Sequence, residues 1–207
     1  MSLEHLYRAP KEPSSKALFL IHGYGSSAQD LFQFASHLPS DLHIFSFQGP
    51  YSLNAEQFAW YAIHFDEDQN KFNDLNQARS SLEQIKSSIE ELRSAYHLTD
   101  LAVMGFSQGS ILSLALALNH PNFFNAVVGL SGYLNKNLVL DSTSYSTRTR
   151  FFLSHGREDA IIPFSWALES VHFLKEQGLD VTWHEYPSIH TVSYDNFKDL
   201  VHFLLQL

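Results

Sequence analysis

The side chains best suited to chemistry are a serine, an aspartate and a histidine, each just past a run of apolar residues. The serine stands in Gly105-Phe106-Ser107-Gln108-Gly109. Leu101-Ala102-Val103-Met104 precedes it and a long apolar run, residues 111–118, follows. That pattern predicts strand, sharp turn, helix, and G-x-S-x-G in this setting is a nucleophile elbow. Its glycines leave room where strand and helix close around the serine. The turn lifts Oγ clear of the sheet and aims the first helical N–H groups at whatever binds there. On an ordinary strand-to-helix turn, the same serine would be no more than an N-cap.

A serine hydroxyl is a poor nucleophile at neutral pH and needs a base, and the base needs an orienting acid. In an open α/β sheet such groups collect outside the carboxyl ends of the strands. Past a predicted strand at 150–154 comes His155-Gly156-Arg157-Glu158-Asp159, and past the last strand comes Pro187-Ser188-Ile189-His190. Serine, aspartate and histidine thus follow one another in the order Ser107, Asp159, His190. His190 would take the serine proton and return it to the leaving group, and Asp159 would hold the imidazole tautomer. Asp180, at the start of the last strand, is the rival acid. The backbone N–H groups of Tyr24, in the turn after the first apolar run, and of Gln108 are candidate donors to a tetrahedral oxyanion.

The elements that must position these groups alternate along the chain. Strands are expected at 17–21, 42–47, 101–104, 126–130, 150–154 and 179–186. Helices are expected at 30–38, 74–96, after the elbow to about 119, at 163–176 and at 193–205. The alternation predicts a single α/β domain over residues 1–207, its mostly parallel central sheet flanked by helices on both faces. Residues 1–16 are polar and contain proline, with no element expected there; 48–73 reads as a long irregular segment and 131–146 as a polar loop. The segments 48–73 and 132–146 are expected to shape a pocket. Tyr24, Trp60, Tyr61, Ile161 and Ile162 are candidate apolar walls, and each would serve equally well as core.

Composition removes several function classes. Of 207 residues, 44% are hydrophobic, enough for a substantial core, and the net charge of −9 disfavours nucleic acid. There is no cysteine, so no disulfide, thiol nucleophile or thiolate metal site. No apolar run approaches the ~18 residues of a membrane span, and none near the start suits a signal peptide. A cytoplasmic protein without integral membrane association is expected; nothing fixes the oligomeric state. His184-Glu185 begins an H-E-x-x-H zinc motif, but the next histidine is His190, too late, and Pro187 would break the required helix. Gly23-x-Gly25-x-x-Ala28 matches a dinucleotide fingerprint, yet the next strand ends in Phe47-Gln48 without an acidic residue for a ribose. His22 and His155, in His-Gly turns, read as structural.

With these motifs in hand, the chain resembles the phospholipase/carboxylesterase family of the α/β-hydrolases, which includes acyl-protein thioesterases. The resemblance runs from Leu20-Ile21-His22-Gly23 to His190. It rests on His22-Gly23-x-Gly25, on Gly105-Phe106-Ser107-Gln108-Gly109 and on His155-Gly156-x-x-Asp159-x-x-Ile162-Pro163. It implies Ser107, Asp159 and His190 as triad, Tyr24 and Gln108 as oxyanion donors, and Ala59-Trp60-Tyr61 as an aromatic segment lining the acyl site. It also implies an α/β-hydrolase fold and no metal or organic cofactor. The expected activity is cleavage of short-to-medium acyl esters, small-molecule substrates, through an acyl-serine. A thioesterase or lysophospholipase on the same site is the nearest alternative. A catalytically silent hydrolase-like protein or a dinucleotide-binding protein stands further off. One departure is that Ser188 and Ile189 precede His190 where the family usually has glycine.

Overall fold

The structure, a computed structural model, describes residues 2–65, 71–140, 145 and 148–207. Its centre is a seven-stranded sheet. In chain order the strands are β1 (His5–Arg8), β2 (Lys16–Ile21), β3 (His43–Phe47), β8 (Asp100–Phe106), β9 (Ala126–Leu130), β10 (Arg150–Gly156) and β11 (Asp180–Tyr186). They lie side by side as β1-β3-β2-β8-β9-β10-β11. β1 is antiparallel to β3 and every other pairing is parallel.

β2, β3, β8 and β9 are almost wholly buried because parallel strands are covered on both faces. Alternate residues of β2 face opposite ways. Phe19 and Ile21 join a core with the helices α2 (Leu75–Ala95), α3 (Gln108–Asn119) and α4 (Phe164–Glu176). Leu18 and Leu20 join a second core with α1 (Ala28–Phe32) and α5 (Tyr194–Leu204). α3 is apolar all round and buried along nearly its whole length, as a helix in the middle of a domain must be. α2 starts where Asp74 accepts the N–H groups of Asn76 and Gln77, both at 3.0 Å, a cap worth about 1 kcal/mol.

Three expectations from the sequence need correction. The N-terminal stretch, expected to hold no element, contains edge strand β1 at residues 5–8. Its polar composition hid it, but Arg8 carries a purpose that composition does not show. Its guanidinium donates to the carbonyls of Ala35, Leu38, Pro39 and Leu42. The helix expected at 30–38 is instead α1 followed by a 3-10 turn, Gln33–His37. Pro39 stops the segment, and Arg8 takes carbonyls that a longer α-helix would have used. Finally, 48–73 is not irregular. It holds two small antiparallel pairs, β4 (Tyr51–Ser52) with β5 (Phe58–Ala59) and β6 (Ile63–Phe65) with β7 (Lys71–Asn73). Strands of two or three residues are too short to show a period. Residues 66–70, 141–144 and 146, parts of the two segments expected to shape a pocket, lie outside the described residues.

The strand order reverses direction about β2 and β8, which places a topological switch point at their carboxyl ends. Ile21 pairs with Gly105 there, so the Gly23-Tyr24 turn and Ser107 emerge side by side.

Candidate active site

Ser107 sits between β8 and α3 with φ 53° and ψ −115°. A non-glycine residue in that region costs on the order of 1–3 kcal/mol and persists only where its surroundings impose it. The surroundings here are backbone. A Cβ on Gly109 would lie 1.9 Å from the carbonyl oxygen of Ile21, and one on Gly105 would lie 2.2 Å from that of Gly109. The elbow also donates the N–H of Ser107 to Leu130 O at 2.9 Å, tying it to β9.

The Asp159 and His190 loops are laced together. Arg157 N donates to Tyr186 O at 2.8 Å and Glu158 N to Ser188 O at 3.1 Å. Gly156 permits this approach, since a Cβ there would meet Ser188 O at 2.1 Å. The close approach of the two loops therefore depends on Gly156, which faces the backbone carbonyls of Ser188 and Ile189.

His190 Nδ1 lies 2.6 Å from Asp159 Oδ2. The carboxylate accepts, so Nδ1 carries the proton and Nε2 keeps its lone pair. The other oxygen, Oδ1, accepts the N–H groups of Ile161 at 2.8 Å and Ile162 at 2.9 Å. Burial alone would raise the Asp159 carboxyl. The Ile162 N–H, the His190 ring and the Ile161 N–H outweigh it, and hold the group below the usual carboxylate range. Asp180, the rival acid, stands at the opposite end of β11, paired with Arg150.

His155 completes this corner. Its Nε2–H donates to Ile162 O at 2.9 Å and lies 3.2 Å from Asp159 Oδ2. Burial pushes the ring below its ordinary value, despite the carbonyl and carboxylate facing it. His22 does the equivalent for the Gly23-Tyr24 turn. Its Nδ1–H donates to Gly23 O at 2.7 Å, and its Nε2 accepts Gly49 N–H at 3.0 Å. A proton on Nε2 would face that N–H, and burial already pushes the ring down to about 4. Both histidines are structural, as expected from their His-Gly turns.

Ser107, His190, Tyr24 and Gln108 line one cavity of about 440 Å³, whose other walls include Tyr61, Ile161 and Ile162. The Phe106 ring packs 4.9 Å from that of His190. Gln108 is the first residue of α3, where N–H groups have no intrahelical partner. Its side chain works elsewhere: Oε1 accepts Trp60 N–H at 2.8 Å and Nε2 donates to Tyr61 O at 2.9 Å. This clamp sets the Trp60-Tyr61 segment and corrects one expectation. Trp60 does not line the cavity. Its ring is wholly buried, packs at a tilt 5.2 Å from the His22 ring and donates Nε1–H to His22 O at 2.9 Å. Indole N–H needs a partner when buried, and the nearest one lies inward.

Among the other wall residues, Ile63, Asn73 and Tyr133 lie within the two segments expected to shape a pocket but were not singled out, and Phe106, Ile111 and Trp166 were not named as walls at all. Phe106 lies inside the elbow motif and Ile111 one turn beyond it, so both could have been named from the motif. Tyr133 and Trp166 come from a loop and from the first turn of α4, where no pattern marks direction.

His184 and Glu185 lie in β11 and turn to different partners, Asp199 at 3.4 Å and Arg157 at 2.5 Å. Among the described residues, no group of three or more His, Asp or Glu could hold a metal ion, and no helix is long and apolar enough to cross a membrane. The helix after Gly23-x-Gly25 does not present a free anion site. Ala28 N donates to Gln48 Oε1 at 3.2 Å, and Asp30 places a carboxylate in the first turn.

A mostly parallel sheet with a serine elbow after its central strand and an Asp-His pair past the next loops defines an α/β-hydrolase. A family model described as phospholipase/carboxylesterase matches residues 6–207, and the chain belongs to that family. It is 36% identical over 107 residues to acyl-protein thioesterase 1 of Aspergillus fumigatus, a match covering 48% of this chain and 44% of that protein. It thus spans under half the length of that relative. With acyl-protein thioesterase 1 of Mycosarcoma maydis it shares 29% identity over 213 residues, 90% of this chain and 89% of the other. The fold is similar to that of esterase PE8, with a TM-score of 0.84, 21% identity and coverage of 99% and 98% of the two chains.

Proposed function

We propose that this protein is a serine hydrolase of one α/β domain that cleaves carboxylic esters of short-to-medium acyl chains through an acyl-Ser107 intermediate. The observation that carries the reading is the 2.6 Å contact of His190 Nδ1 with Asp159 Oδ2, in a ring that shares a cavity with Ser107. Asp159 fixes the Nδ1–H tautomer, so Nε2 is the base that takes the Ser107 proton as Oγ attacks the acyl carbon. The oxyanion that forms is met by the N–H groups of Gln108 and Tyr24, fixed in place before the reaction. The imidazolium then gives its proton to the leaving oxygen, and the alcohol departs. Water, deprotonated by the same His190, repeats the attack on the acyl-enzyme and frees Ser107. Each step moves protons between groups of this chain and the substrate, so the chemistry calls for no metal or organic cofactor.

The cavity volume of about 440 Å³ falls in the range of small-molecule sites. Its walls at Tyr61, Ile111, Ile161 and Ile162 suit an alkyl chain of limited length. Thioesters fit the same site, a reading favoured by relatives that are acyl-protein thioesterases by name. A panel of p-nitrophenyl esters and acyl thioesters of graded length, run with wild type and Ser107→Ala, tests the proposal. Each methylene should add up to about 0.8 kcal/mol of binding while wall remains to meet it. A maximum at modest length is expected, with loss of turnover in the variant. Equal turnover by folded Ser107→Ala would overturn the reading.

A further inference from the structure

The Ser107 cavity has a neighbour of about 530 Å³. Asn73, Tyr133 and Trp166 face both. Tyr133 touches both of the others: Asn73 Nδ2 lies 3.4 Å from its OH, and its ring meets that of Trp166 edge-on at 4.9 Å. They form a sill between two lobes of one cleft. The Ser107 lobe is walled largely by apolar side chains. The second lobe instead collects Asn135, Lys136 and Asn137 from the 3-10 turn at 136–138 and Glu169 and Ser170 from α4.

Resting on the Ser107 hydrolase reading, we propose that the second lobe is a subsite for an uncharged hydrogen-bonding group, a hydroxyl or carboxamide, at the far end of the acyl chain. The preferred substrates are then esters of acyl groups that are apolar near the carbonyl and polar at the tip.

Three observations support this assignment. The first concerns which half of the substrate reaches the lobe. The leaving oxygen must face His190, which protonates it. His190, Gly23 and Tyr24 line the Ser107 lobe and do not line the second. The acyl side is therefore the half that runs away from His190 and over the sill. The second concerns charge. One ammonium, Lys136, and one carboxylate, Glu169, face the lobe and cancel, so neither an acid nor an amine is favoured. Lys136 Nζ is also drawn 4.7 Å over the Phe173 ring. The third concerns hydrogen-bonding capacity. Ser170 Oγ is spent, accepting Leu134 N at 2.8 Å and donating to Trp166 O at 2.6 Å. Asn135 Oδ1 accepts Asn137 N at 3.1 Å, which leaves its Nδ2 to donate. Asn73 gives Nδ2 to Tyr133 OH, which among the described residues leaves its Oδ1 to accept. One donor and one acceptor suit a group that both accepts and donates.

The test compares p-nitrophenyl esters of matched length whose acyl tips are methyl, hydroxyl, carboxamide, carboxylate or ammonium. Lys136 and Glu169 are both exposed, so Lys136→Met and Glu169→Gln should fold normally. For wild type, hydroxyl and carboxamide tips should exceed the methyl tip by roughly 3- to 10-fold in kcat/KM once the chain is long enough to cross the sill, and not before. Glu169→Gln should raise the relative rate of carboxylate-tipped esters and Lys136→Met that of ammonium-tipped esters, each by about 3-fold or more. Methyl tips that win at every length, or tip selectivity unchanged in both variants, would overturn the subsite. If no ester of any kind is turned over, the Ser107 reading fails first and takes the subsite with it.

Discussion

The elbow and the cleft walls are built in opposite ways. Around Ser107, backbone meets backbone: the elbow glycines approach carbonyls at distances no side chain could share, and Ser107 is held at a positive φ. The walls come from a hairpin segment, a loop after β9 and the first turn of α4, and they meet through side chains. The first region is determined by what residues cannot be there, and the second by which way residues turn. Catalytic geometry should therefore be intolerant of substitution, and chain-length preference should be adjustable.

The largest effect that would sharpen this contrast is at the nucleophile. Ser107→Ala should lower kcat by roughly 10⁴–10⁶-fold with the thermal transition unchanged, because triad members act as a unit. Asp159→Asn should cost about 10³–10⁴-fold by favouring the wrong His190 tautomer, while Asp180→Asn, at the far end of β11, should be close to neutral. A crippled Asp180→Asn beside an active Asp159→Asn would break the assignment. Gly109→Ala forces a Cβ against Ile21 O and should lose about 4 kcal/mol or more of stability, measured by urea unfolding.

His22 gives a pH-dependent version of the same test. Its ring is held at about 4 when folded, against the ~6.5 of an unfolded imidazole. Between those values the unfolded chain binds more protons, so stability is complete above the unfolded value and falls as pH drops through it, until the folded value is reached. The loss from this residue should approach about 3 kcal/mol. Urea midpoints from pH 7.5 to 4 should show the slope in wild type and a shallower one in His22→Gln. Identical slopes would contradict a buried neutral ring.

The smallest effects separate wall from core. Trp60→Phe should lose about 1–3 kcal/mol of stability, from the indole bond to His22 O and the packing around it, without moving the chain-length optimum. Ile161→Ala, at a well-exposed wall position, should leave stability within about 0.5 kcal/mol and lower kcat/KM several-fold for longer acyl esters only. If Trp60→Phe shifts the optimum and Ile161→Ala does not, the two roles have been exchanged.

This division also sets what the sequence makes legible. Long apolar strands, the capped helix α2 and the glycine-bracketed serine each carry a local signature, because one element suffices to require it. The Asp159 loop was readable from its place after a strand. By contrast, β1 is legible only once Arg8 is seen to serve four carbonyls more than twenty residues away. Trp60 and Tyr61 are adjacent and aromatic, and nothing in the sequence says that the first turns inward to His22 while the second faces the cavity. Gly156 lets the Asp159 and His190 loops meet backbone to backbone, and that closeness appears only in three dimensions.

The most direct measurement is covalent. Incubation with a fluorophosphonate, followed by mass spectrometry of the peptides, asks which oxygen in the protein is activated. Stoichiometric labelling confined to Ser107, abolished in Ser107→Ala and strongly slowed in His190→Ala, is the expected result. An active esterase that takes no label, or takes it at a residue other than Ser107, would contradict the account.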